Sequence, residues 1–536
     1  MQPLSQSKIA NIQTLVEMKG FFLKRSYSVK LDIAKEIREE LGINATGEEF
    51  LEYLESLKPV KAPSAKREVI PTFAGQVKAS EADRPVIYGK RFIITSAQNE
   101  TAIFTPFVHN LKAFASYLDA QLIVLPNHYN TSAFSGQAKG DHNWYDASIR
   151  DYLVSDDQWL EFCNGIFLAA NTNILPTTVF PVRAGKNIIG SAVACIIGHT
   201  KQQAETVARM KGQDAKWCYT TGTCTVRNYV KSAAGAKAQS DHAYGALLVE
   251  IDNESLEWNV RQLRGSEIDG SFYDLNLFIS GGSVHEDHDH SLAMVWGDVH
   301  GEKLDREFYA KSLEFMADNP ISKAILHDLH DFSSRNHHNR DSGHFLASML
   351  GRTVEDDLTV TSQILVDMRN VIPEGDLIVV QSNHDDALKR WLDCNKYSPA
   401  KDPINAVTYH KLNAAVYRDI QNKEPQRAIL ETALAELGLD SAMATFLNLD
   451  QSCLVHGVEV GYHGHTGTNG SRGSPVQFSK LGVPMVTGHT HSPSLYGNVT
   501  TVGCCNLDQD YNVGMSSWDL THAIIYPNGY TTLIRL

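Results

Sequence analysis

Two kinds of apolar pattern alternate along the chain. Apolar positions three and four residues apart read as helices facing a core, whereas short unbroken apolar runs that stop on polar residues read as buried strands. From about residue 6 to residue 57 the helical pattern holds, with Ile33, Ala34, Ile37 and Leu41 in phase. Gly42-Ile43-Asn44-Ala45-Thr46 breaks it, and Thr46 with Glu49 has the spacing of a capping box that opens a second helix. Residues 58–84 open on Lys58-Pro59-Val60-Lys61-Ala62-Pro63, a composition that reads as a linker.

From 85 to 285 the strand pattern takes over. Runs at 91–95, 121–125, 165–169 and 188–197 predict buried strands, several ending in polar loops such as Asn127-His128-Tyr129-Asn130 and Gly198-His199-Thr200. This predicts an α/β accessory domain whose loops gather at one sheet edge. No glycine-rich phosphate fingerprint follows any of these strands, so an architectural or substrate-shaping role is the expectation.

Between 286 and 536 five apolar runs each end on potential metal ligands. The first, Met294-Val295-Trp296, leads to Asp298 and His300; 321–326 leads to His327, Asp328 and Asp331. Residues 376–380 lead to Asn383 and His384, 458–462 to His463, and 483–487 to His489 and His491. One strand-end histidine is ordinarily a satisfied polar group. Five in order point to one constellation. Its oxygen and nitrogen donors, without thiolate, suit Mn²⁺ foremost, with Zn²⁺, Fe or Mg²⁺ as alternatives, rather than a structural zinc site. His456-Gly457 competes with His463-Gly464 for the fourth place, and the Gly-rich loop that follows favours His463.

Composition narrows the setting. A chain of 536 residues calls for more than one core, and a hydrophobic fraction of 43% with 21% charged residues belongs to a globular protein. The start lacks a signal-peptide core and no run is long enough to span a bilayer, so a cytoplasmic location and no membrane partner are expected. Eight cysteines without small-domain spacing read as reduced thiols, Cys218, Cys224, Cys504 and Cys505 included. A net charge of −14 argues against broad adhesion to nucleic acid, though cations in a site can offset carboxylates locally. The basic-aromatic group Lys19, Phe21, Phe22, Lys24, Arg25 and Tyr27 is a candidate DNA contact, with a helical cap or oligomerisation arm as the alternative. Glu48, Glu49, Glu52 and Glu55 on the second helix disfavour a helix-turn-helix reading. The run His285 to His290 reads as a solvated loop or an adventitious metal binder.

The ordered motifs resemble the calcineurin-like metallophosphoesterases, whose D-x-H, GDxxD, GNH(D/E), strand-end HG and GHxH signatures stand here in that order. The likeness is to the repair-exonuclease branch, and size and layout are also similar to the large phosphoesterases of tailed phages, including the early DNA-degrading kind of T5-like phages. The resemblance implies a β-sandwich flanked by helices, preceded here by the α/β accessory domain and the helical region, and two divalent metals at the strand ends. It implies that Asp298, His300 and His491 hold one metal, that Asn383, His463 and His489 hold the other, and that Asp328 bridges both. It gives His384 the part of catalytic acid and Asp331 that of the carboxylate orienting it, with a hydroxide between the metals attacking a phosphodiester. His327 and Ser382 stand where the family has glycine.

A DNA nuclease is therefore the leading expectation, and a homo-oligomer its expected form. A phosphatase or phosphodiesterase for nucleotides or other small phosphoesters is the alternative, and a binding scaffold without activity the third reading. Arg335, His337 and Arg472, in loops beside the motifs, are candidate phosphate contacts.

Overall fold

The computed structural model describes residues 12, 27–43, 45–56, 86–87, 89–129, 144–155, 159–162, 165–252, 254–255, 257–287, 291–335, 342–393 and 402–536. Residues 19–25 of the basic-aromatic group, the 58–84 linker, His288 to His290 and His337 lie outside them. The N-terminal helices run Tyr27–Glu40 and Gly47–Ser56. Their junction is the expected capping box: Thr46 N–H donates to the Glu49 carboxylate at 2.8 Å and Glu49 N–H to Thr46 Oγ1 at 3.2 Å. Ala34, Ile37, Phe50 and Leu54 pack into a small core of their own.

The strands that carry the motifs or pair beside them are β1 (Leu292–Val295), β2 (Ile321–His327), β3 (Asp376–Val380), β4 (Thr445–Leu447), β5 (Met485–Thr487), β6 (Thr521–Ile525) and β7 (Thr531–Arg535). Six of them form a sheet in the order β4-β3-β2-β1-β6-β7. β1 to β4 are mutually parallel, so their C-terminal ends open on one edge. Alternation along each strand sends neighbours to opposite faces. Met294 and Leu326 meet the helices Arg306–Asp318 and Val354–Val371 through Phe308, Met316, Leu358 and Leu365. Val295 and Ile325 instead meet Val486, Leu495 and Val502 of a second sheet.

That second sheet does not stop at the start of this region. β5 pairs with Val499–Thr501, which pairs with Ser494–Tyr496, which pairs antiparallel with His199–Val207. Eleven strands thus run from the accessory segment into the C-terminal one, and Ile196 and Trp217 share one core with Val295 and Val486. A division at residue 285 follows the chain and not the packing.

Three strand predictions need correction. Residues 188–193 are not strand: Val182–Ile188 is a helix, Gly190 turns at φ +52°, and the strand is Ala194–Ile197. An apolar run that covers a buried helix end and the next strand looks continuous in sequence. The 458–462 strand shrinks to Val458–Glu459, because the Glu459 carboxylate accepts from Cys453 and Gly461 N–H and turns the chain. β1 ends at Val295, before Trp296. Among the described residues no helix is long and apolar enough to cross a membrane.

Candidate metal centre

The loops after β1, β2, β3 and β5, with the segment after Val458–Glu459, converge at one edge. His300 Nε2 and His491 Nε2 face each other at 3.0 Å, and Asp328 Oδ2 lies 3.6 Å from the former. His491 Nε2 is also 3.1 Å from Asp298 Oδ2. Ligand atoms of Asp298, His300, Asp328 and His491 all fall within 4.8 Å of one another, and all four residues are buried. On the other side of Asp328, His463 Nε2 is 3.4 Å from Oδ1 and 3.2 Å from Asn383 Oδ1. The His489 ring stacks edge-on to His463 at 5.4 Å between centroids. The structure therefore brings together all seven residues that the resemblance names as ligands.

One feature in particular suits a cation. Neither oxygen of Asp328 meets a hydrogen-bond donor in good geometry among the described residues, although the side chain is 1% exposed. A buried carboxylate left so costs several kcal/mol, roughly, unless something positive takes its lone pairs. The two imidazole nitrogens at 3.0 Å cannot both carry protons; one N–H···N hydrogen bond, or one cation taking both lone pairs, satisfies them.

The backbone at this edge is unusual. His300, Asp328, His489 and His491 all sit at positive φ, between +47° and +73° except Asp328 at +45°. Non-glycine residues rarely adopt this region, and their clustering at one place marks a site held by its surroundings. Gly488 explains itself by space: a Cβ there would lie 2.1 Å from Asp298 Oδ1. The two departures from the glycine pattern are accommodated. Ser382 Oγ donates to Asp385 Oδ2 at 2.9 Å and accepts from Asp385 N–H at 3.1 Å. His327 turns its fully buried ring towards His463, 5.5 Å away, and burial drops its pKa to about 4.

Electrostatics divide the histidines. Burial pushes His300 and His489 down to about 4 and His463 well below its ordinary value, keeping them neutral at neutral pH as ligands must be. His491 goes the other way, to about 9: burial opposes its charge, but Asp298 and Asp328 outweigh it. Asp298 rises to about 6 through burial and then repulsion from Asp328. Burial also opposes charging of His384, yet Asp328 and Asp331 together raise its pKa.

Asp331 does more than orient one ring. Its Oδ1 is 2.9 Å from His384 Nδ1 and 3.0 Å from His300 Nδ1, while Lys303 Nζ and Ser333 Oγ hold Oδ2 at 3.0 and 2.7 Å. Beneath it lies a pair that sequence reasoning missed. His330 Nδ1 is 3.0 Å from Glu302, whose carboxylate accepts from Asp331 and Phe332 N–H. Tyr511 and Trp518 were missed as well. Their rings stand 5.8 Å from His384 and 4.1 Å from His491. Nothing in the motif spacing points to that loop.

The two arginines part company. Arg335 is committed elsewhere, its Nε and one terminal nitrogen on the Asp402 carboxylate at 2.8 Å each and the other on Ser334 O. It lends no free fork to a phosphate, and this corrects its expected role. Arg472 is exposed, and its charge reaches His489. Arg390, exposed and donating to Asn383 O at 2.6 Å, joins it at the rim.

Over 538 aligned residues the chain is 40% identical to Protein A1 of Escherichia phage T5, a match that spans 96% of this chain and 95% of that protein. No protein-family profile matches the chain. No solved structure matches it.

Proposed function

We propose that this chain, which belongs to the family of phage T5 Protein A1, is a two-metal-dependent phosphoesterase whose substrate is DNA. The observation that carries this reading is Asp328, a buried carboxylate neither of whose oxygens meets a donor in good geometry among the described residues, flanked by His300 and His491 on one side and Asn383 and His463 on the other. Asp298, His300 and His491 would hold one cation, Asn383, His463 and His489 the second, with Asp328 serving both. Bound there, two divalent cations would supply an activated water and neutralise phosphoryl oxygens. The layering of two sheets with helices on the outer face of the six-stranded one supports a metallophosphoesterase-type sandwich.

The chain's own residues supply the rest. His384, charged through Asp328 and Asp331, hands a proton to the departing oxygen. Asp331 fixes which ring nitrogen of His384 carries that proton, by taking the N–H of the other. Tyr511 and Trp518 form an aromatic wall beside these rings that restricts water. Arg390 and Arg472, on separate elements and both exposed, suit a polyanion longer than a single phosphate. A phosphatase for small phosphoesters is the competing reading, favoured by the −14 charge.

The test is a substrate panel: full-length protein with Mn²⁺, given linear, circular and single-stranded DNA beside bis-p-nitrophenyl phosphate and p-nitrophenyl phosphate. DNA cleavage is expected. DNA left intact while the small esters are hydrolysed would move the assignment to the small-substrate reading.

A further inference from the structure

A second polar cleft lies at the opposite end of the same strands. It encloses about 580 Å³ between the accessory segment and the C-terminal sheets, with Val458 and Pro484 on its wall. Pro484 precedes β5, whose far end carries His489, so the two places are roughly 15 Å apart along an extended chain.

Its charge stands against that of the whole protein. Lys201, Lys237, Arg264 and Lys480 line it, and Asp241 is the one carboxylate residue among its lining. Asp241 is already shared, 2.7 Å from Lys201 Nζ and 3.8 Å from Lys237 Nζ. Arg264 is half-buried over the Tyr530 ring at 5.5 Å, and Glu267, whose charge reaches it, is paired with Arg227 at 2.5 Å. Three cationic charges are thus left over, in a chain with 62 acidic and 48 basic residues. Anions in a partly desolvated cleft are what such a surplus favours.

The other walls are not those of a plain phosphate site. Phe180 and Tyr530, both half-buried, are aromatic residues of its wall. The volume falls within the range of small-molecule pockets.

We propose that this cleft binds a nucleoside phosphate, with its phosphate among Lys237, Arg264 and Lys480 and its base against Phe180 and Tyr530. The site is separate from the metal centre and does not depend on the reading of that centre.

Calorimetric titration of the full-length chain without added divalent metal tests it, with deoxyadenosine monophosphate, deoxyadenosine and inorganic phosphate as probes. The nucleotide is expected to bind once per chain and more tightly than either fragment. Arg264→Gln and Lys480→Glu should each weaken it by about tenfold or more, the loss of one charge-assisted contact. Asp328→Ala should leave it unchanged. Lys480 is exposed, so that variant serves even where Arg264→Gln fails to fold. Phosphate binding as tightly as the nucleotide, no nucleotide binding at all, or binding abolished by Asp328→Ala and kept by both cleft variants would each overturn the proposal. Because no divalent metal is present, failure here leaves the metal-dependent reaction to stand or fall by its own test.

Discussion

His384 Nδ1 stands 2.9 Å from Asp331 Oδ1, and the same oxygen lies 3.0 Å from His300 Nδ1. One carboxylate therefore sets the orientation of a proposed general acid and of a proposed ligand at once. Asp331→Asn keeps the shape and removes the charge. It should cut turnover by about ten- to a hundredfold and weaken Mn²⁺ binding. It should also move the basic limb of the pH–rate profile to lower pH, since Asp331 helps raise the pKa of His384. A variant with an unmoved profile would show that Asp331 only fills space.

His384→Ala separates acid from ligand. Loss of a general acid costs about 10²–10⁴ in rate. Metal content, measured by mass spectrometry of the purified protein, should be unaltered, and a drop in it would reassign His384 to the ligand set.

For Asp328→Ala the expectation is the reverse. Its carboxylate oxygens lie between the two groups of histidines and meet no donor in good geometry among the described residues. Their removal should abolish tight metal binding and activity together. Without metal, the same change should lower thermal stability near neutral pH, because it takes away the negative charge that Asp328 sets against His384 and His491.

The Glu302–His330 pair predicts a pH dependence of stability. Burial opposes the charge on His330, yet Glu302 raises its folded pKa to about 9 from an ordinary 6.5. A raised pKa means that the contribution is complete below pH 6.5 and is lost as pH climbs towards 9. Thermal unfolding of wild type should fall over that window by on the order of 2 kcal/mol more than in His330→Gln. Parallel curves for the two proteins would remove the pair from the account.

Arg335 and Arg472 should behave as opposites. Arg335→Gln breaks a buried fork on Asp402, which also accepts from Asn405 and Tyr409, and should destabilise by about 3–5 kcal/mol. Arg472→Gln should leave the melting temperature alone and raise KM for DNA, most visibly at low salt.

What the sequence made legible follows from range. The proposed ligands sit at ends of apolar runs, and an apolar run announces its own end locally; hence Asp298, Asp328, Asn383, His463 and His491 could be picked out as candidates without the fold. The fate of Arg335 depended on Asp402, 67 positions away in the chain. The pairing of Ser494–Tyr496 with His199–Val207 is of the same kind, and joins two segments that look separate in composition. Positive φ at His300 and His489 left no trace in residue type, since only glycine advertises that conformation. Glu302 and His330 escaped because each looks like an ordinary polar loop residue until burial couples them.

The most direct test of the central claim counts metal against catalysis. Full-length protein stripped with chelator is titrated with Mn²⁺ while bound metal and phosphodiester hydrolysis are followed in the same samples. Two ions per chain are expected, with hydrolysis absent in the stripped protein and appearing as the pair of sites fills. Hydrolysis that persists after complete removal of metal, or a chain that binds none, would contradict the account.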